Sequence, residues 1–337
     1  MAKIIDIIEV PPKPKFDLFL TKKSTQSEVT VIFTKNCNLK CDFCKVIHDH
    51  PEASFEDFNA DVINRSLPLT LAAIERQPKN HIDMSFFGGE IFQDKFDQSV
   101  FDAFDHFLDA CRTKIVSLGK TYDFTLMTNI ITKNIDRTIA FAKKYDTDVH
   151  ASFDFAGRFT NPKLVDLWFD NMAKMRAAGL RRFSATFNTI KPNVDAIMSH
   201  DPVWKKIYEN YDIILNYYDD VGVEEYVADE KLLGQLLIFL YQNYPKVGNV
   251  RDIVERFRGI KPGTTCVQST TVTDRINWEC CDRYNVIQEF RKNKGCLKCE
   301  FFEHCPVDCP RTFHKSKDCL NRIFLTWYKE NGVDQQN

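Results

Sequence analysis

A parallel α/β fold is what the 337-residue sequence predicts, and three observations carry the prediction. Apolar runs of strand length alternate with longer stretches of helical character, the pattern of a parallel sheet crossed by helices. Six such runs can be counted along the first two thirds of the chain. Successive runs end on glycine or polar residues, and in a parallel barrel the C-terminal strand ends form the face that binds ligands.

Taken in order, the first strand is EVTVIF at 28–33, which leads into the lysine-rich turn TKNCNLKCDFCK. The second, HIDMSFF at 81–87, leads into Gly88-Gly89-Glu90. The third, YDFTLM at 122–127, is followed by Thr128 and Asn129. DVHASFDF at 148–155 carries Ser152 and Asp154 near its end, and RRFSATFN at 181–188 ends in Asn188. YDIILNYYDD at 211–220 is the sixth. Between them FEDFNADVINRSL, FDAFDHFLDACRTKI, NIDRTIAFAKKY and NPKLVDLWFDNMAKMRAAG read as helices, the last stopping at Gly179. Cys111 sits in the second of these and reads as a buried core thiol.

Composition excludes several function classes. The net charge is -2 and the basic residues do not gather into a tail, so no nucleic-acid partner is expected. The opening MAKIIDIIEVPPKPKFD lacks the apolar region of a secretory signal, and no run reaches membrane length. A cytoplasmic protein without a membrane partner is the expectation. Of the 12 cysteines, three lie at 37–44, one at 111 and eight between 266 and 319, and such clustering reads as metal or redox sites, not disulfide staples. The 28 phenylalanines read as core filling.

Cys37, Cys41 and Cys44 are spaced C-x3-C-x2-C, with Phe43 before the last thiol. A structural zinc site wants four ligands, and His48 or His50 would be the only local candidates for a fourth. An iron–sulphur cube is the better match, since three thiolates hold three irons and leave one for a non-protein ligand. This loop resembles that of the radical S-adenosylmethionine (radical SAM) enzymes. The resemblance implies a partial (β/α)6 barrel over residues 28–225, with the cube and SAM at its strand ends. In that family the amino and carboxylate groups of SAM chelate the free iron. Gly88 and Gly89 would admit close backbone approach, and Glu90 would accept from the SAM ammonium; the bland reading of GGE is a tight turn before a helix.

Further contacts follow from the resemblance. Asn129 stands where the family has Thr-Asn-Gly, but here Ile130 replaces the glycine. Ser152 and Asp154 alternate along the fourth strand and would both meet the ribose hydroxyls, unless Asp154 is a helix cap. Asn188 would add a ribose or carboxylate contact, and Phe43 would pack near the adenine. Leu215, Tyr217 and Tyr218 are candidates for a sixth-strand adenine contact.

The second cysteine group contains CLKCEFFEHCPVDCP, with Cys296, Cys299, Cys305 and Cys309 spaced C-x2-C-x5-C-x3-C. Cys266, Cys280 and Cys281 lie upstream and Cys319 downstream. The block resembles the SPASM domain, a C-terminal extension with two auxiliary clusters, although Arg275 stands where that family has a glycine. By this resemblance Cys296, Cys299, Cys305 and Cys319 would hold the outer cluster, and Cys266, Cys280 and Cys309 the inner one. Cys281 would be the inner cluster's fourth ligand, or that cluster keeps an open iron. Zinc is the alternative for this block. The implied organisation is an extension over 1–27, the barrel, a helical linker over 226–262, the auxiliary domain over 263–320 and a C-terminal helix and tail over 321–337.

The resemblance implies an enzyme with three [4Fe-4S] clusters that splits SAM to a 5′-deoxyadenosyl radical, with flavodoxin or ferredoxin as reductant. The radical would take a hydrogen from a peptide or protein side chain, and the auxiliary clusters would accept electrons as it is oxidised or crosslinked. No leader-binding domain is expected from the 27 residues before the first strand. The alternatives are dehydrogenation or epimerisation of a small molecule, and a non-catalytic electron-transfer protein. Asp282, beside the cysteine pair, is a candidate base, as are Asp219, Asp220 and Glu224; each also reads as a surface charge.

Overall fold

The structure, a computed structural model, describes residues 23–44, 58–159, 161–216, 223–260, 266–273, 276–277, 299–301 and 319–331. Six parallel strands form its centre: β1 (Lys23–Ile32), β2 (His81–Phe87), β3 (Thr121–Thr128), β4 (Asp148–Ser152), β5 (Phe183–Asn188) and β6 (Asp212–Asn216). The crossovers are α1 (Ala60–Glu75), α2 (Gln98–Ser117), α3 (Ile135–Tyr145), α4 (Pro162–Ala177), and the pair α5 (Lys191–Met198) and α6 (Pro202–Asn210). Beyond them come α7 (Glu230–Asn243), α8 (Gly248–Phe257), β7 (Cys266–Val272), β8 (Ile276–Asn277) and α9 (Leu320–Asn331).

The sheet order is β6-β5-β4-β3-β2-β1-β7-β8, every pairing parallel except β7 with β8. All six predicted strands are present, with ends displaced by up to five residues. β4 stops at Ser152, earlier than the apolar pattern suggests, and the predicted continuation of β6 past Asn216 lies outside the described residues. The sheet also gains β7, whose residues 266–272 pair in parallel with β1.

Local chemistry sets the helix starts. Asn59, Asp97, Asn161 and Asp201 each place a side-chain oxygen on a first-turn amide, of α1, α2, α4 and α6 respectively. Proline opens α4 and α6, where its missing N–H costs nothing. Gly179 follows α4 with φ of 76°, the left-handed stop expected of it.

Two cores lie between the sheet and its helices. One gathers β1–β3 with α1 and α2 around Phe86, Phe104, Phe107 and Phe124, and Cys111 is buried within it. The other gathers β4–β6 with the later helices around Phe153, Trp168, Phe187 and Trp204, and receives α9 through Phe324 and Tyr328. Strand alternation divides the residues. Ile82, Met84 and Phe86 enter the helix-side core, while His81, Asp83, Ser85 and Phe87 take the opposite face. The opposite face is therefore rich in polar groups. Among the described residues no helix is long and apolar enough to cross a membrane.

Candidate active site at the strand ends

The C-terminal ends of the strands surround a cavity of about 890 Å³. It brings together Cys37, Cys41, Cys44, Phe43, Gly88, Gly89, Asn129, Ser152 and Asn188, residues drawn from five different strand ends. Leu215 reaches it from β6, while Tyr217 and Tyr218 lie outside the described residues.

The cysteine loop is clamped to the second strand's turn. Gly88 has φ of 98°, which favours glycine, and Gly89 lies so close to Asn36 that a Cβ would stand 1.9 Å from its carbonyl oxygen. The same oxygen accepts from the Glu90 amide at 3.0 Å and from Gln93 Nε2 at 3.2 Å. Asn36 precedes the first cysteine, so GGE sets where the thiols stand.

Glu90 itself is buried and is not among the residues that line the cavity. Its carboxylate accepts from the Phe92 amide at 3.0 Å and the Asn129 amide at 2.7 Å, and the Thr128 hydroxyl lies 2.9 Å from both oxygens. Burial pushes its carboxyl above the ordinary value, and these donors pull it back. The structure thus places Glu90 as the tie between the second and third strand ends. Asn129 carries the tie onward, donating to Asn38 Oδ1 at 2.8 Å and lying 3.5 Å from the Cys37 sulphur. Ile130 has φ of 52°, the left-handed backbone natural to the glycine it replaces. Asn171 Nδ2 holds its carbonyl at 2.7 Å.

On the fourth strand end the alternation expected for Ser152 and Asp154 does not persist, because the strand has already stopped. Ser152 lines the cavity; Asp154 is buried beneath it. Asp154 Oδ2 accepts from Arg158 Nε at 2.6 Å, and Oδ1 from Asn193 Nδ2 at 2.6 Å and the Asn188 amide at 3.1 Å. Burial pushes the Asp154 carboxyl up and these donors oppose it; with donors alone around its oxygens it is the ionised partner of Arg158. For Arg158, burial works against the charge, but Asp154 outweighs it and holds the guanidinium above its usual value. Arg158 also lies over the Phe43 ring, 5.7 Å from its centre, and faces the cavity. Phe43 is buried against Tyr226, with ring centres 5.2 Å apart.

Sequence reading missed Arg158, Asn193 and Asn249. The Asp154–Arg158 spacing of four residues was the available signal for the first. Asn249 pairs its amide with both the N–H and the carbonyl of Leu215, at 2.7 and 2.9 Å, and also lines the cavity.

The donor set can be tested against a cluster. Cys37, Cys41 and Cys44 line one cavity and feel one another's charge, yet among the described residues no three metal-binding side chains converge on a single point. Three thiols on one cavity wall are donors of the kind that could hold an iron–sulphur cluster. Burial, then the neighbouring Glu90, pushes the Cys37 thiol up to about 12. Burial pushes Cys41 up to about 11, with Arg158 opposing it.

Of the second group, the described residues include Cys299 and Cys319, which are close enough for the charge of Cys299 to act on Cys319. Cys266 opens β7. Cys280, Cys281, Cys296, Cys305 and Cys309 lie outside the described residues, as do His48, His50, Asp219, Asp220 and Asp282. Glu224 starts a short 3-10 turn and is exposed.

No family model matches the chain, and no curated protein matches it. Solved structures do. Native anSMEcpe with bound AdoMet superposes with a TM-score of 0.61 at 16% identity, over 90% of this chain and 95% of that one. Native anSMEcpe with bound AdoMet and the Cp18Cys peptide gives 0.58 at 17% identity over the same shares. At this identity the likeness establishes architecture, and the architecture is a partial (β/α) barrel of the radical SAM type.

Proposed function

We propose that the protein is a radical SAM enzyme that binds SAM and an iron–sulphur cluster in the strand-end cavity and oxidises or crosslinks a peptide or protein side chain. One observation carries the reading: three closely spaced thiols, a double-glycine turn and the polar ends of β3, β4 and β5 converge on one cavity. An electron carrier has no use for such a cavity beside its thiols. The anSMEcpe likeness supports SAM as the ligand, and its peptide complexes support a peptide substrate.

Cys37, Cys41 and Cys44 would hold the cluster, which when bound supplies the electron that cleaves SAM to methionine and a 5′-deoxyadenosyl radical. The chain's own work is positioning. Gly88 and Gly89 line the cavity where the methionine part would lie. Arg158, a buried cation on the cavity wall, offers its guanidinium to the SAM carboxylate while Asp154 fixes its plane. Ser152 and Asn188 face the cavity where the ribose hydroxyls would lie, and Asn188 is oriented by Asp154. Phe43 and Leu215 give an apolar wall for the adenine. The C-terminal cysteines would hold two auxiliary clusters as electron acceptors, and the reductant would be a flavodoxin or ferredoxin.

Anaerobically reconstituted protein is expected to carry about twelve irons, four for each of three cubes. Changing Cys37, Cys41 and Cys44 together to alanine should remove about four of them and abolish release of 5′-deoxyadenosine from SAM and dithionite. Undiminished 5′-deoxyadenosine from that variant would refute the reading of the site.

A further inference from the structure

The end of β3 carries a network of amides to which the proposed SAM site gives no work. Asn129 is 4% exposed, and both hydrogens of its side-chain amide have a taker. Nδ2 donates to Asn38 Oδ1 at 2.8 Å and stands 3.5 Å from the Cys37 sulphur, a hydrogen-bond distance for so large an acceptor. Its Oδ1 accepts from the Ile131 amide at 2.8 Å.

The direction of that amide is fixed by its neighbours. Ile131 uses both of its backbone groups here, giving its N–H to Asn129 Oδ1 and accepting at its carbonyl from Asn38 Nδ2 at 2.7 Å. Turning either side chain over would set oxygen against oxygen and N–H against N–H. The turn that carries Ile131 is held in its place from α4. Buried Asn171 donates to the carbonyls on either side, Ile130 at 2.7 Å and Thr132 at 2.8 Å. Asn129 therefore keeps an N–H on the sulphur unless its bonds to Ile131 and Asn38 break.

Asn129 stands between the Glu90 carboxylate and the first thiol. Its backbone N–H goes to Glu90 Oε2 at 2.7 Å and its side-chain N–H to Cys37. The Glu90 charge works against negative charge on the Cys37 sulphur, and the Leu39 amide, 3.4 Å from that sulphur, works for it. At Cys41 the help comes from the Arg158 guanidinium; at Cys37 it comes from N–H dipoles.

We propose that Asn129 is a positioning residue for the redox step, acting through Cys37: its side-chain N–H donates to the Cys37 sulphur and raises the reduction potential of the cluster held at Cys37, Cys41 and Cys44. The assignment rests on the proposed function. In that step one electron passes from the reductant, a flavodoxin or ferredoxin, to the cluster, and no bond forms or breaks. The added negative charge spreads onto the sulphurs, and a donor fixed against one of them stabilises the reduced form. With both Nδ2 hydrogens committed, Asn129 serves the cluster and not SAM.

The test is a redox titration of the reconstituted full chain, followed by electron paramagnetic resonance without SAM. The cluster in question is the one whose signal is missing from the triple alanine variant of Cys37, Cys41 and Cys44. At the potential that reduces half of it in the wild type, the ratio of reduced to oxidised cluster in Asn129→Leu should fall about three-fold or more. The donor can also be read in the wild-type protein, where no folding defect intrudes. With asparagine isotopically labelled at its side-chain nitrogen, the reduced cluster should show a nitrogen hyperfine coupling that changes with the isotope, and Asn129→Leu should lose it. An unshifted potential, or no such coupling in the wild type, would overturn the inference. So would weakened SAM binding by Asn129→Leu at the wild-type potential, which would make Asn129 a SAM contact. Absence of any signal that depends on the three cysteines is a different result: it refutes the proposed function, and this role for Asn129 with it.

Discussion

Gly89→Ala is expected to strip the cysteine loop of iron and SAM in a single substitution. The added Cβ would stand 1.9 Å from the Asn36 carbonyl oxygen, 2.7 Å from its carbon and 3.1 Å from its nitrogen. Those are backbone atoms, so no rotamer change relieves the clash. Either the GGE turn or the loop carrying Cys37 must move, and moving the loop breaks the bonds from Glu90 and Gln93 to Asn36. Overpacking of this kind costs on the order of 1–3 kcal/mol, here concentrated where the GGE turn meets the cysteine loop. The outcome is read as iron per chain after anaerobic reconstitution, the visible absorbance of the cluster, and SAM affinity. Retention of full iron with wild-type SAM binding would show that the turn does not set the loop.

The second large effect is expected at Asp154→Ala. Arg158 is then left as a buried charge without its partner, a change that costs about 3–5 kcal/mol in other proteins. Asn188 and Asn193 lose the acceptor that aligns them, so the β5 end loosens with the β4 end. SAM affinity should fall with stability. The discriminating variant is Asp154→Ala combined with Arg158→Met, which removes the orphaned charge and should recover a good part of the lost stability but none of the SAM affinity. If the double variant binds SAM as well as the wild type, Arg158 has no part in holding the carboxylate. If Asp154→Ala melts within a degree of the wild type, the pair does not bear on the fold.

How legible the molecule was differs from element to element. β2 matches the apolar run to the residue, because its ends carry the signals a strand needs: His81 after a polar turn, and two glycines beyond Phe87. The cysteine loop and GGE stood out by their spacing, and the structure brings both to one cavity. Asp154 was half legible: its importance showed, but its direction rested on an alternation that ends with β4 at Ser152. Its role as anchor of Arg158, Asn188 and Asn193 depends on three chain segments meeting, and no local pattern encodes that. Glu90 was legible as a residue of this turn, but not the donors that the strand ends supply to it. β7 was not legible as part of the barrel. CVQSTTV is short and polar, and its partner strand is more than two hundred residues away in sequence.

That pairing has a consequence for how the protein can be divided. A six-stranded half-barrel ends on two open edges, and β1 would be one of them. Exposed edge strands template pairing with other chains unless they are short, charged or covered. β1 spans ten residues, with Val29 and Val31 fully buried, and β7 covers it from Ser27 to Val31 in continuous register. A fragment cut before residue 266 would therefore present a long, bare, β-branched edge, and self-association of that fragment is the expected failure. β7 acts as a built-in guard for the barrel, so the strand that leads into the first cysteine loop and the strand that begins at Cys266 are tied by backbone pairing.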